Sequence, residues 1–261
     1  GPLICLGYAH ASGYGAGKVS IPWCEGQEMV PDPMTRQAWL RSQFRGCILG
    51  GAVGDALGMP TEEGPSRHPG MSIELACGRP WVDDYLDSPN PQFLKAGQYT
   101  DDTQQTICLA ETLIEGTGQF DPLLFLQKLK AAITHKARGI GPSTHRVLMA
   151  LATGQVQQLL DGECASENPT NGGAMRIAPL ALLYHHDLEA LRTQVKAVTA
   201  LTHGHERAVA GACVQAYLIA ARIGHAPDAF DPVATRRDLV TFIEPMDLGL
   251  AELLSAPLEY G

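Results

Sequence analysis

The chain lacks the patterns that would place a protein in a membrane or on a nucleic acid. No apolar run reaches the ~18 to 20 residues that a membrane-spanning helix needs. Lys and Arg number 19 against 28 Asp and Glu, which gives a net charge of −9. A protein that grips a phosphate backbone needs a clustered excess of basic residues instead. We therefore expect no membrane association and no direct binding of nucleic acid.

Paired cysteines are also missing. The seven cysteines are scattered and odd in number, and no two of them are spaced as C-x-x-C. This pattern predicts neither a disulfide framework nor a zinc knuckle. The first residues lack the basic stretch followed by an apolar stretch that marks a secretory signal. We expect reduced thiols and a cytoplasmic protein.

Hydrophobic residues make up 45% of the 261 residues, which is enough for a packed core. Apolar residues recur with helical spacing, and no stretch alternates as a strand would, so the sequence predicts a single-domain, all-α fold. Two of the expected helices are apolar nearly all round and should be central; these are 173–185 and 205–223. The others are expected from Thr35 onward, from Thr103 to about Gly116, and at about 121–135, 143–153, 187–202 and 233–243.

Two segments outside the helices are irregular. Residues 1–33 are rich in glycine and end in two prolines, which predicts an arm that precedes a domain over 34–261. The glycines before Lys18 do not have the spacing of a nucleotide-binding loop, and Val19 stands where such a loop needs Ser or Thr. Residues 59–99 combine prolines and glycines with little periodicity, which is typical of a long loop that walls a site.

Two adjacent carboxylates lie at the start of a predicted helix, in the segment Thr100-Asp101-Asp102-Thr103. A helix N-terminus stabilises negative charge with its dipole and free N–H groups, so the pair can be a plain cap. Capping uses one side chain and sometimes a second, however, and here four oxygen-bearing side chains follow one another. Carboxylates and hydroxyls are also ligands of Mg²⁺. The residues alone leave a cap and a cation site as alternatives.

This segment resembles the hallmark of the ADP-ribosylglycohydrolase family, and three further blocks agree. Residues 45–62, with Gly-Asp-Ala-Leu-Gly inside them, resemble the family's opening helix. Residues 171–179 resemble its phosphate-contacting loop, and residues 199–203 its Thr-His block. The order matches over roughly residues 40–220. The resemblance implies an orthogonal bundle of helices and a metal-dependent hydrolysis of the N- or O-glycosidic bond that links ADP-ribose to a modified protein side chain.

The resemblance also implies roles for individual residues. Two divalent cations, Mg²⁺ or Mn²⁺, would be bound by Thr100, Asp101, Asp102 and Glu62. The last three would be the catalytic carboxylates, and the substrate would be an ADP-ribosylated protein. The residues expected to contact ADP-ribose are Asn171, Gly172, Gly173, Met175, Gly139, Gly141 and His203.

Physical arguments accompany some of these roles. An asparagine followed by glycines at a helix start exposes N–H groups that suit a diphosphate, although an ordinary capped helix has the same pattern. Arg176 could contact a phosphate or brace the core through a buried ion pair, and the sequence leaves both open. His185, His186 and His205 have no metal-ligand spacing and are interpreted as surface or helix-end residues.

One family block is not found after residue 103. Members of the family continue into a Gly-Gly-Asp-x-Asp-Thr block that supplies the remaining metal ligands, so we expect the site of this chain to be incomplete. We rank three explanations, the preferred one first: a shortened chain, a partner chain that supplies the block, and a homologue that binds without hydrolysis. The last keeps a second function open: a protein that binds ADP-ribose, or an immunity protein whose N-terminal arm occludes an ADP-ribosyltransferase toxin.

Overall fold

The computed structural model describes residues 33–61, 84–88, 94–226 and 229–256. Within these ranges the chain forms helices and no β-strand, and an isolated parallel bridge joins Ser166 and His203. The prediction of an all-α fold is confirmed.

The described residues form ten α-helices and two 3₁₀ helices. The α-helices are α1 (Pro33–Gly58), α2 (Asp101–Glu115), α3 (Pro122–His135), α4 (Pro142–Ala152), α5 (Val156–Leu160), α6 (Ala178–Leu183), α7 (Leu188–Ala200), α8 (Glu206–Ala220), α9 (Pro232–Ile243) and α10 (Leu248–Ser255). The 3₁₀ helices are Met59–Thr61, which follows α1, and Ala174–Arg176, which precedes α6.

Side-chain caps begin several of the helices. A side chain at the N-cap accepts a hydrogen bond from the first turn of each of α3, α7, α8, α9 and α10. These residues are Asp121, Asp187, His205, Asp231 and Asp247. Proline follows the cap in α3 and α9, where the missing N–H would have no intrahelical partner. His205 is thus a helix-end histidine, as predicted, whereas α5 and α10 were not predicted.

The prediction of a continuous helix at 173–185 was wrong. The segment consists of the 3₁₀ helix Ala174–Arg176 and the separate helix α6. Pro179 has no N–H to donate to the carbonyl of Met175, and its ring would collide with that carbonyl in a continuous helix. The Met175 carbonyl instead lies 3.4 Å from the hydroxyl of Thr106 in α2.

Helix α8 lies at the centre of the bundle, as its apolar character predicted. It packs against α6, α7 and α9, and its alanines and Cys213 are almost all buried. Helix α2 packs against α1, α3, α6 and the 3₁₀ helix Ala174–Arg176. The start of α2 therefore lies among the elements that carry the other sequence blocks.

Some predictions fall outside the described residues. These are the N-terminal arm up to residue 32, most of the segment 59–99, and Glu62. None of the described helices is both long enough and apolar enough to cross a membrane.

Candidate active site

The first turn of α2 is held by a carboxylate from another helix. Asp55, near the end of α1, is 7% exposed. Its carboxylate accepts hydrogen bonds from the backbone N–H and hydroxyl of Thr100, at 2.9 and 2.7 Å. It accepts the same pair of bonds from Thr103, at 3.0 and 2.6 Å. Sequence reasoning did not single out Asp55, although it lies in the block that resembles the family's opening helix.

All four free N–H groups at the start of α2 have partners. Asp101 donates to the carbonyl of Arg138, and Asp102 to the hydroxyl of Thr100. Thr100 and Thr103 both donate to Asp55. A helix start needs partners only for these groups. The helix start therefore does not depend on the carboxylates of Asp101 and Asp102, which weakens the interpretation of the pair as a plain cap.

The side chains at this helix start carry oxygens, the type of ligand that a hard divalent cation prefers. Oδ1 of Asp102 lies 3.3 Å from Oγ1 of Thr100. Neighbouring ligands of an octahedral Mg²⁺, each ~2.1 Å from the ion, are about 3 Å apart. Among the described residues, no three His, Cys, Asp or Glu side chains lie together as a metal site on their own. Thr100, Asp101 and Asp102 therefore offer donors of the right kind for part of a ligand set, and their role as ligands stays a prediction.

A buried chain of hydrogen bonds leads away from Asp101. Its Oδ2 accepts from the amide nitrogen of Gln105 at 2.8 Å, and the amide oxygen of Gln105 accepts from Nη1 of Arg176 at 2.7 Å. Nη2 of Arg176 donates to the hydroxyl of Thr202 at 2.6 Å, and that hydroxyl lies 2.8 Å from Nδ1 of His203. Three of the sequence blocks are thus connected inside the protein.

Arg176 acts as a brace in this chain. Its side chain is completely buried, and Nη2 also donates to the carbonyl of Val198 at 3.1 Å. Burial lowers the pKa of Arg176 to about 10, while the negative charge of Asp101 opposes the change. A side chain without exposed surface cannot reach a diphosphate in a cleft, so the structure favours the brace, but through the neutral acceptors Gln105, Val198 and Thr202 and not through the ion pair that was expected.

The segment 171–176 lies against the Thr-His block. Asn171 is exposed, Gly172 and Gly173 are buried, and Met175 is half-buried. His203 is 2% exposed, and burial, with a smaller contribution from Arg176, lowers its pKa to about 4. The imidazole is therefore neutral at pH 7. Contact of these residues with ADP-ribose stays a prediction.

The second glycine-rich segment adjoins the acidic pair. The carbonyl of Arg138 accepts the N–H of Asp101 at 3.0 Å, and the guanidinium stacks on the ring of Tyr99 and donates to its carbonyl. Gly139 has a φ of 95°, in the left-handed region that favours glycine. Gly141 is the N-cap residue of α4, and a Cβ atom there would meet no atom within 4 Å. The structure thus brings this segment to the start of α2.

Comparisons with known proteins agree with the resemblance. The family model described as ADP-ribosylglycohydrolase matches residues 36–256. An uncharacterised protein of Archaeoglobus fulgidus is 39% identical over 188 residues, which are 70% of this chain and 57% of that protein. The ADP-ribosylarginine hydrolase Tri1 of Pseudomonas putida is 27% identical over 234 residues, which are 82% of this chain and 58% of that protein.

The fold agrees as well. A solved structure of an ADP-ribosylglycohydrolase-related protein complex superposes with a TM-score of 0.58 and 27% identity, over 83% of this chain and 67% of that chain. The chain spans a little over half the length of the two relatives named above. From the extent of the family match, this chain belongs to the ADP-ribosylglycohydrolase family.

Proposed function

We propose that this protein hydrolyses the glycosidic bond between ADP-ribose and a modified protein side chain, with divalent cations at the acidic pair. The observation that most supports this function is the buried chain of hydrogen bonds from Asp101 to His203. It ties the carboxylate of Asp101 to the segments that are expected to bind ADP-ribose. Such coupling holds reacting groups at a fixed distance from a bound substrate.

In this reaction an oxygen of water replaces the side-chain atom that is bonded to the anomeric carbon of the ribose. Water attacks this carbon, the bond to the side-chain nitrogen or oxygen breaks, and the leaving group takes the electron pair. The water loses a proton and the leaving group gains one, so the products are free ADP-ribose and the unmodified side chain. A positioned carboxylate is suited to these proton transfers, and Asp101 and Asp102 are the candidates.

The described residues have separate tasks in this proposal. Thr100, Asp101 and Asp102 would hold part of the cation shell, and bound Mg²⁺ or Mn²⁺ would supply positive charge for the ribose hydroxyls. Asp55 keeps Thr100 in place through two hydrogen bonds to its backbone and hydroxyl. The role of Glu62 stays a prediction, because this residue lies outside the described ranges.

The test follows the release of free ADP-ribose. The protein is incubated with Mg²⁺ and with proteins that carry ADP-ribose on arginine or on serine. We expect release from one of these linkages, and we expect it to vanish in the double variant Asp101→Asn with Asp102→Asn. Asp161→Asn is the matched control, because Asp161 is an exposed carboxylate at the end of α5 and should leave release unchanged.

The outcomes separate hydrolysis from binding alone. Equal release by the acidic-pair variant and by Asp161→Asn would contradict a catalytic role of the pair. The protein could also release no ADP-ribose from any linkage and still bind ADP-ribose in calorimetry. That result would contradict hydrolysis and favour the alternative of a protein that binds without turnover.

A further inference from the structure

The side chain of Gln105 bridges the guanidinium of Arg176 and the carboxylate of Asp101. It is completely buried in α2, one turn after Asp101, so the two residues share a face of the helix. A guanidinium can only donate hydrogen bonds, and an ionised carboxylate can only accept them. An amide has one group of each kind. Gln105 accepts from Arg176 at 2.7 Å and donates to Asp101 at 2.8 Å, which fixes the orientation of the amide.

Arg176, at the other end of this bridge, makes several further contacts. Besides Gln105, Arg176 donates to the carbonyl of Val198 and to the hydroxyl of Thr202, and its guanidinium lies 5.2 Å from the centre of the Phe125 ring. Arg176 has no exposed surface. Because the guanidinium is anchored on several sides, the amide that it orients has little freedom. The position of Oδ2 of Asp101 is therefore set from the core of the protein.

We propose that Gln105 is a positioning residue for Asp101. Its amide, oriented by Arg176, fixes the rotamer in which the Asp101 carboxylate meets a divalent cation. This inference rests on the proposed role of Asp101 as a cation ligand. Residues that orient a metal ligand affect metal affinity or activity by about 10- to 100-fold when they are replaced.

The neighbouring glutamine provides a matched control. The amide of Gln104 also donates two hydrogen bonds, to the carbonyls of Ala132 and Lys136 at 3.1 and 2.9 Å. These bonds tie α2 to the end of α3 and do not involve the acidic pair. Gln104→Met and Gln105→Met are therefore the same substitution at adjacent positions, and only the second removes a donor from Asp101.

The experiment measures Mn²⁺ affinity by electron paramagnetic resonance, and kcat and KM for release of ADP-ribose, in the full chain. We expect Gln105→Met to raise the Kd for Mn²⁺ and to lower kcat, each by about 10- to 100-fold, with KM within about threefold of the wild type. Gln104→Met should leave the Kd and kcat within about threefold of the wild type. Equal values for the two variants would overturn the inference.

A second variant separates positioning from stability. Gln105→Met leaves an amino group of the buried Arg176 without a partner, which by itself destabilises the fold. Gln105→Met with Arg176→Met also removes the buried charge, and it leaves the carbonyl of Val198 and the hydroxyl of Thr202 without that donor, so its stability differs from that of Gln105→Met. We expect this double variant to bind Mn²⁺ as weakly as Gln105→Met does, because it too lacks the donor to Asp101. Recovery of the wild-type Mn²⁺ affinity would overturn the inference.

The Mn²⁺ measurement also distinguishes this inference from the proposed function. If the wild type releases no ADP-ribose but binds Mn²⁺, and only Gln105→Met weakens that binding, the positioning role stands and the proposed hydrolysis fails. If the wild type releases ADP-ribose and Gln105→Met behaves as Gln104→Met does, the proposed hydrolysis stands and the positioning role fails. A wild type that binds no Mn²⁺ would overturn the positioning role.

Discussion

The Cα of Gly172 lies directly against the imidazole of His203. A methyl group at this position would be 2.4 Å from Cε1 and 2.5 Å from Nε2 of the ring. The ring cannot turn away freely, because its Nδ1 lies 2.8 Å from the hydroxyl of Thr202. Position 172 therefore needs glycine for close packing, in addition to any contact with a ligand.

Replacement of Gly172 by alanine should displace His203. We expect Gly172→Ala to lower the free energy of unfolding by about 1 to 3 kcal/mol, the usual effect of overpacking in a core. Gly211→Ala is the control, because Gly211 lies within α8 and a methyl group there meets no atom within 4 Å. The control should gain about 0.5 to 1 kcal/mol from its higher helix propensity. Urea denaturation measures both, and equal stability of the two variants would contradict the packing argument.

The carboxylate of Asp55 should be needed for stability as well as for the site. In Asp55→Asn, an amide NH₂ would face the N–H and hydroxyl groups that now donate to Oδ1 or Oδ2. We expect a loss of about 3 kcal/mol in the free energy of unfolding, because buried donors are left without acceptors.

The same substitution at Asp231 is the control for Asp55→Asn. Asp231 caps α9 with an exposed side chain, and asparagine caps a helix about as well as aspartate. Asp231→Asn should change the free energy of unfolding by less than about 0.5 kcal/mol in urea denaturation. A loss at Asp55 no larger than at Asp231 would show that the first turn of α2 does not depend on the carboxylate.

Burial of His203 should make the protein less stable in mild acid. The folded imidazole has a pKa of about 4, against 6.5 for an ordinary histidine. Below pH 6.5 the unfolded chain gains a proton that the folded protein does not bind, so this contribution to stability falls by about 1.4 kcal/mol per pH unit until pH 4. Between pH 7.5 and 5.0 the wild type should therefore lose about 2 kcal/mol more than His203→Gln.

His186→Gln is the control for this pH dependence, because His186 is exposed. As the pH is lowered from 7.5 to 5.0, the free energy of unfolding of His186→Gln should decrease as much as that of the wild type. If His203→Gln and His186→Gln had the same slope between pH 7.5 and 5.0, the imidazole of His203 would not be buried in its neutral form.

Two of the described cysteines should resist alkylation in the native protein. Burial raises the pKa of Cys108 to about 11 and that of Cys213 to about 12, so little of either thiol is the reactive thiolate at pH 8. Cys164 is half-exposed. Treatment with iodoacetamide and peptide mass spectrometry should find Cys164 modified before Cys108 and Cys213, which should react only after urea is added. Early modification of Cys213 would contradict the packing of α8.

Local signals in the sequence predicted much of the fold. The capping residues Asp121, Asp187 and Asp231 each begin a helix within two residues of its predicted start, because a cap acts on its own first turn. The helix expected at 173–185 failed for an equally local reason, since apolar spacing outweighed the effect of Pro179 in the prediction. The short helix α5 has no side-chain cap and too few residues to show a period.

The interior of the candidate site was predicted only in part. The Thr100-Asp101-Asp102-Thr103 segment is contiguous and could be recognised, whereas its supporting residues come from distant parts of the chain. Asp55 and Arg176 support it from 45 residues before Thr100 and 71 residues after Gln105. Spacing along one helix gives no information about which distant side chain will meet it. The alternatives for Arg176 could be separated only when its burial was known.

The distance in sequence between Asp55 and Thr100 has a consequence for the order of folding. Their hydrogen bonds close a loop of 45 residues, and the entropy lost in closing such a loop must be recovered by contacts that form together with it. The first turn of α2 thus reaches its final shape only when α1 has docked, whereas a helix capped by its own neighbour, such as α9, can begin earlier. We therefore expect the first turn that carries the acidic pair to form together with the long-range contacts of the bundle.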